Sequence, residues 1–191
     1  MARTTLSERE GGRRLPIVGV MGSGTEAHEE RALPLGRWLG TLPVHLLTGG
    51  GGGVMSSVSR AFSEVRPREG LVIGVLPGPA PREGYPNPWV EIAIRTHLPY
   101  SGELGCGPQS RNSINVLSAD VIVALPGSHG TASEVRLALD HGRPLVAFLD
   151  GPEQITGLPA DVRVEPDLAA VQRFVLEHLG TASQTGVSVP D

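Results

Sequence analysis

The sequence contains a single cysteine and no apolar run long enough to cross a bilayer, and each absence excludes a class of protein. Cys106 alone cannot form an internal disulfide, and it lacks the CxxC spacing of a zinc or redox site. A transmembrane helix needs about 20 consecutive apolar residues, so no membrane partner is predicted. Residues 1–14 carry charges of both signs without the hydrophobic stretch of a signal peptide, and we therefore expect a cytoplasmic protein.

Positive charge is also scarce. Sixteen Lys and Arg residues stand against 20 Asp and Glu residues, so the formal net charge is −4. Proteins that bind DNA or RNA through its phosphates carry an excess or a patch of Lys and Arg, so nucleic acid is not a predicted partner. The six histidines show no HxH or HxxxH spacing, and no protein-bound metal ion is predicted.

Glycine is abundant, with 26 residues that cluster between short apolar runs. The runs typical of buried strands are residues 15–21, 44–48, 71–76, 121–125 and 144–149. The predicted helices are residues 27–42, 54–65, 110–118 with Ser110 as N-cap, 131–141 and 167–179. This alternation predicts a Rossmann-like three-layer α/β fold, with helices on both faces of a mainly parallel sheet.

The length of 191 residues suits one domain. We predict that this domain spans residues 15–180, between a flexible N-terminal tail at 1–14 and a flexible C-terminal tail at 181–191. Residues 77–88 hold five prolines and residues 98–109 are rich in glycine, so both segments are predicted to be loops beside the ligand.

Three glycine-rich segments each follow a predicted strand, namely residues 22–25 (GSGT), 49–53 (GGGGG) and 127–131 (GSHGT). The carboxyl ends of parallel strands meet at one edge of a sheet, so these loops are expected to converge there. Glycine lets the backbone approach an anion, and the N–H groups of a helix N-terminus favour it, which predicts a small phosphorylated ligand. The candidate residues of these loops are Gly22, Ser23, Gly24, Gly50, Gly51, Gly52, Gly53, Val54, Met55, Gly127, Ser128, His129, Gly130 and Thr131.

The glycine pattern differs from two common phosphate-binding motifs. It contains neither the GxGxxG of dinucleotide-binding proteins nor the GK[ST] of a P-loop. These departures disfavour NAD-linked chemistry and classical ATP hydrolysis.

Residues 125–134 read LPGSHGTASE and resemble the PGGxGTxxE signature of the SLOG superfamily. Residues 49–55 (GGGGGVM) resemble its second glycine loop, and residues 87–94 (NPWVEIAI), followed by Arg111 and Asn112, resemble the branch of molybdenum cofactor carrier proteins. The resemblance implies a carrier of molybdenum cofactor, a phosphorylated pterin, that forms a homodimer or homotetramer. The related Lonely Guy branch implies the alternative, a nucleoside 5′-monophosphate phosphoribohydrolase acting on cytokinin or AMP. A ligand sensor is a third alternative.

The resemblance also implies roles for two residues outside the glycines. Arg111 would orient the phosphate or ribose, while Glu134 would polarise the ribose in a hydrolase or hydrogen-bond the ligand in a carrier. Asn112 stands where the hydrolases have lysine, which favours the carrier. Ser128 replaces the second glycine of the signature, which requires either that the backbone there has no positive φ or that Ser128 accepts some strain.

Glu134 also has a purely structural interpretation. Residues 131–134 have the form S/T-x-x-E of a capping box, in which Thr131 and Glu134 would only satisfy N–H groups at a helix start. The sequence leaves both interpretations of Glu134 open.

Overall fold

The computed structural model describes residues 14–99, 104–107 and 109–182, which form a seven-stranded sheet with helices on both faces. The strands are β1 (Ile17–Met21), β2 (His45–Thr48), β3 (Val72–Leu76), β4 (Ile92–Arg95), β5 (Val121–Ala124), β6 (Leu145–Phe148) and β7 (Val164–Glu165). The α-helices of the described residues are α1 (Glu29–Gly40), α2 (Val54–Ser63), α3 (Asn112–Ser118), α4 (His129–Asp140) and α5 (Leu168–Ala182). A short 3₁₀ helix spans Pro152–Gln154.

All neighbouring strands are parallel, in the order β4-β3-β2-β1-β5-β6-β7. Helices α1, α2 and α5 bury apolar side chains such as Leu35, Phe62 and Val171 against one face of the sheet. Helices α3 and α4 cover the other face, where Val116 and Val135 are fully buried. The predicted three-layer Rossmann-like fold is therefore confirmed.

The strand order reverses between β1 and β5, the central pair of the sheet. The chain leaves β1 toward the β2 side and leaves β5 toward the β6 side, so the loops after these two strands diverge and leave a crevice. This crevice lies beside the loops after β1, β2 and β5, which are the three glycine-rich segments.

Several predicted boundaries were wrong. Helix α4 begins at His129, two residues earlier than predicted, and α5 continues to Ala182, beyond the predicted start of the C-terminal tail. Arg14, assigned to the N-terminal tail, is anchored, because its guanidinium donates to both carboxylate oxygens of Asp120 at 3.0 Å. The other residues of the two predicted tails, 1–13 and 183–191, lie outside the described part of the chain.

Three elements were missed, namely β4, β7 and the 3₁₀ helix. Strand β4 has only three apolar residues, Ile92 to Ile94, between Glu91 and Arg95, and β7 has only two residues, so both are too short to stand out as strands in the sequence. Ser110 also proves not to be the N-cap of α3. That position belongs to Arg111, and Ser110 Oγ instead accepts a hydrogen bond from the backbone N–H of Asn112 at 3.1 Å.

Within the described residues, no helix combines the length and the apolar character that crossing a membrane requires.

Candidate functional site

Ser23 joins the three glycine-rich loops at the crevice. Its backbone N–H donates to Pro126 O at 2.9 Å, and its carbonyl accepts from the backbone N–H of Val54 at 2.9 Å. The first loop is thereby hydrogen-bonded both to the loop after β5 and to the start of α2. Gly22 permits this approach, because a Cβ there would lie 2.8 Å from Val54 Cγ1.

The converging loops surround an open cleft with a volume of about 170 Å³. This volume is below the about 300–1,000 Å³ typical of small-molecule pockets, so the cleft accommodates a group such as a phosphate, and a larger ligand would extend through its open mouth. Its wall is formed by Val20, Met21, Gly22, Gly24, Gly49, Met55, Tyr85, Arg111, Asn112, Ser128, Gly130, Thr131 and Glu134.

Arg111 is the positively charged residue of this wall. It precedes α3 and is only 5% exposed. Its Nη1 donates to Val75 O at 2.7 Å, at the carboxyl end of β3, and its guanidinium packs directly against Gly49. Among the described residues, its buried Nε has no hydrogen-bond partner.

Arg111 forms no ion pair with a carboxylate of the described residues, although its charge acts on the nearby buried carboxyl of Glu134. A buried cation is costly unless an anion approaches it, and a guanidinium suits phosphate because it offers parallel N–H donors. Arg111 therefore gives the cleft the electrostatics of an anion site.

Glu134 faces the same cleft from α4 and is 8% exposed. Its Oε1 accepts a hydrogen bond from Asn115 Nδ2 at 2.9 Å. Burial raises the pKa of the Glu134 carboxyl above its usual value, and this effect exceeds the opposing influences of the Arg111 cation and the Asn115 hydrogen bond. The site thus favours the neutral carboxylic acid more than an exposed glutamate would.

The capping-box interpretation of Glu134 is wrong. The N-cap of α4 is Ser128, so Thr131 lies in the first turn and Glu134 in the second, too far along the helix to reach the N-cap N–H. Ser128 has φ −115°, so the first of the two alternatives for this residue holds and no positive φ is needed there. The early start of α4 also brings the first-turn residues Gly130 and Thr131 to the cleft.

Nine of the predicted ligand residues line the cleft, and eight do not. The nine are Gly22, Gly24, Met55, Arg111, Asn112, Ser128, Gly130, Thr131 and Glu134. The remaining eight are Ser23, Gly50, Gly51, Gly52, Gly53, Val54, Gly127 and His129.

Most of these eight residues shape the loops. Gly50 and Gly53 have φ of +74° and +56°, which other residues rarely adopt, and Gly127 donates its N–H to Gln154 O at 2.9 Å. Ser23 and Gly127 also border a second, neighbouring cleft. His129 is exposed and borders a third cleft, with Cys106 and Arg136.

Sequence reasoning missed four residues of the wall, namely Val20, Met21, Gly49 and Tyr85. Tyr85 belongs to the proline-rich loop 77–88, and its ring packs on Gly51, where a Cβ would lie 2.5 Å from Tyr85 Cζ. Asn87 attaches the loop to the second glycine segment, because its Nδ2 donates to Gly51 O at 2.9 Å. The sequence signal for Tyr85 was an aromatic residue inside a loop expected to face the ligand.

Within the described residues, no three His, Cys, Asp or Glu side chains come together as a metal site. The absence of a protein-bound metal ion stays a prediction.

Comparison with known proteins identifies relatives over most of the chain. An uncharacterized protein from Archaeoglobus fulgidus is 31% identical over 148 residues, which are 76% of this chain and 87% of that protein. The molybdenum cofactor carrier protein of Chlamydomonas reinhardtii is 32% identical with a TM-score of 0.63, covering 87% of this chain and 99% of that one. The molybdenum cofactor binding protein of Rippkaea orientalis is 32% identical with a TM-score of 0.57, covering 86% and 85%.

The family model described as SLOG cluster4 matches residues 15–170. This range includes the three glycine-rich loops, Arg111 and Glu134. The resemblance noted in the sequence is confirmed, and the chain belongs to the SLOG cluster4 family.

Proposed function

We propose that this chain is a cytoplasmic carrier that binds molybdenum cofactor, or a closely related phosphorylated pterin or nucleotide-like ligand, in the cleft over the sheet. The observation that carries the proposal is Arg111, a buried guanidinium at the wall of a cleft formed by glycine-rich loops. Two solved structures at 32% identity, described as a molybdenum cofactor carrier and a molybdenum cofactor binding protein, support the choice of ligand.

The chemistry of the wall suits a ligand with one anionic end and one flat end. Arg111, the backbone of Gly130 and the hydroxyl of Thr131 would hold the phosphate, assisted by the N-terminus of α4. The Tyr85 ring and the Met55 thioether would contact the face of a pterin or purine, since aromatic and sulfur groups both pack well on flat rings.

Two observations favour a carrier over a phosphoribohydrolase. Asn112, which replaces the lysine of the hydrolases, is 2% exposed and contributes no charge to the wall. Cleavage of an N-glycosidic bond develops positive charge on the ribose, which an ionised carboxylate stabilises. Because burial raises the pKa of Glu134, its ionised form is less available for this role.

The proposal predicts binding without turnover. We expect saturable binding of molybdenum cofactor by the purified chain, and no release of free base from AMP or a cytokinin monophosphate above the rate of a buffer blank. Binding would be measured by quenching of the pterin fluorescence, and base release by chromatography. The matched control for turnover is Glu134→Ala. Base release that disappears in Glu134→Ala would contradict the carrier and make the protein a hydrolase.

The proposed carrier is a homodimer or homotetramer, with the edge strand β4 at a subunit contact. Ile92 and Ile94 are 40% and 41% exposed on this strand, and uncovered apolar side chains on a sheet edge are typical of an interaction surface. We expect Ile94→Lys to lower the mass measured by light scattering to that of a smaller species. Leu176→Lys, at an exposed leucine of α5, is the control and should keep the wild-type mass. The same mass for Ile94→Lys and wild type would exclude β4 from the contact.

A further inference from the structure

Asn115 lies behind the wall of the cleft, in a position that the glycine-rich motifs do not indicate. It belongs to α3 and follows Arg111 by four residues, so the two side chains leave the same side of the chain about one turn apart. Asn115 is 0% exposed and does not line the cleft. Its Nδ2 donates to Glu134 Oε1 at 2.9 Å, which makes Asn115 the hydrogen-bond link between α3 and the carboxyl of Glu134.

The other half of the Asn115 amide is unsatisfied. Its Oδ1 is buried and has no hydrogen-bond partner among the described residues. A buried acceptor without a partner is destabilising, whereas a leucine of similar volume would pack between α3 and α4 without this penalty. An amide at position 115 is therefore explained better by its action on Glu134 than by packing.

We propose that Asn115 is a positioning residue that fixes the Glu134 carboxyl in the wall of the cleft, and that the charge state of this carboxyl controls anion binding beside Arg111. The second half of this proposal rests on the proposed function, because it requires a phosphorylated ligand in the cleft. The first half concerns the protein alone.

The direction of the control follows from the groups that face Glu134. From α3 these are the Arg111 cation and the Asn115 amide, and both stabilise the ionised carboxylate, while burial opposes it. A phosphate bound to Arg111 would repel a carboxylate at Glu134, so the ligand binds best when Glu134 is protonated. The affinity for the ligand is then expected to fall as the pH rises. The fall is at most about tenfold per pH unit, in the pH range where binding of the ligand is accompanied by uptake of one proton by Glu134.

The positioning role is tested without ligand, by following the ¹³C chemical shift of the Glu134 carboxyl during a pH titration of glutamate-labelled full-length protein. Glu134→Gln removes the signal and so assigns it. We expect Asn115→Leu to move the titration midpoint upward, since it removes a donor that stabilises the ionised form. Val116→Ala, at the neighbouring fully buried position of α3, is the control for loosened packing and should leave the midpoint unchanged. An unchanged midpoint in Asn115→Leu, or an equal shift in Val116→Ala, would overturn the positioning role.

The control of binding is tested by measuring the Kd for AMP from about pH 5.5 to about pH 9.5 in wild type, Glu134→Gln and Asn115→Leu. Dividing the Kd of wild type by the Kd of Glu134→Gln at each pH cancels the effect of the titration of the AMP phosphate, because the same AMP is used with both proteins. We expect the ratio of wild type to Glu134→Gln to rise with pH. When the Kd of Asn115→Leu replaces that of wild type in the ratio, the pH at the midpoint of this rise is expected to be higher. A ratio independent of pH would refute the control by Glu134 while leaving the proposed function intact. Failure of both AMP and molybdenum cofactor to bind at any pH would refute the proposed function, and the ligand-free titration would still decide the role of Asn115.

Discussion

Replacement of Arg111 by methionine is expected to weaken binding of molybdenum cofactor and AMP by about 100-fold or more. A hydrogen bond to a charged group contributes about 1.5–3 kcal/mol, and a guanidinium can make two to one phosphate. Since about 1.4 kcal/mol corresponds to a tenfold change in Kd, the loss of two such bonds exceeds 100-fold. Methionine retains much of the buried volume of Arg111 and so separates the loss of charge from the loss of packing.

The measurement is isothermal titration calorimetry of wild type, Arg111→Met and Arg111→Lys with each ligand. Lysine keeps the charge but has no planar pair of donors, so Arg111→Lys is expected to bind with an intermediate Kd. Arg37→Met, at an exposed arginine of α1, is the matched control and should bind like wild type. Circular dichroism would verify that all variants are folded. A Kd for Arg111→Met within about threefold of wild type would show that the anion does not bind at this guanidinium.

Replacement of Gly49 by alanine is expected to weaken binding of the same ligands by about tenfold to 100-fold. A Cβ at position 49 would overlap both terminal nitrogens of Arg111, so the guanidinium must leave its place against β2. Displacement would also break the hydrogen bond from Arg111 Nη1 to Val75 O. The anion site would lose its geometry while keeping its charge, and part of the interaction described above would be lost with it.

Because this effect acts through Arg111, a double-mutant cycle tests it. Gly49→Ala combined with Arg111→Met should bind no more weakly than Arg111→Met alone, since the overlap disappears with the guanidinium. Gly180→Ala is the control, because a Cβ at that glycine of α5 meets no atom within 4 Å. Additive losses in the double variant would indicate that Gly49 contributes independently of Arg111, for example through its own backbone.

The sequence predicted the central strands well for a physical reason. Strands β1, β2, β3, β5 and β6 lie inside the sheet and are almost entirely buried, so most of their residues are apolar and the run is visible in the sequence. The edge strands β4 and β7 lack this burial and were missed. Alternation of strands with glycine turns and helices then implied a parallel sheet, whose topology brings the glycine-rich loops to one edge.

The boundaries of helices were less accurate, and one of them changed the interpretation of a residue. Glycine and histidine at positions 127–130 are typical of a turn, yet α4 begins at His129, and the backbone N–H of Ala132 already donates to Ser128 O at 3.0 Å. The shift moved Glu134 out of any capping position. Local propensity is a weak guide at helix ends, which vary by one or two residues.

The glycine motifs and the order of elements were sufficient for the family, the fold class and the general position of the cleft. All three follow from local patterns in the sequence, namely apolar runs and turns that require glycine. The alternation of these patterns implies a parallel sheet, in which the strand ends converge. Three features of the site depend instead on contacts between residues far apart in the chain. Arg111 lies against Gly49 and Val75, Tyr85 folds onto Gly51, and Asn115 donates to Glu134 from a different helix. Such contacts are selected by the packing of the whole domain, and no pattern within a short segment encodes them.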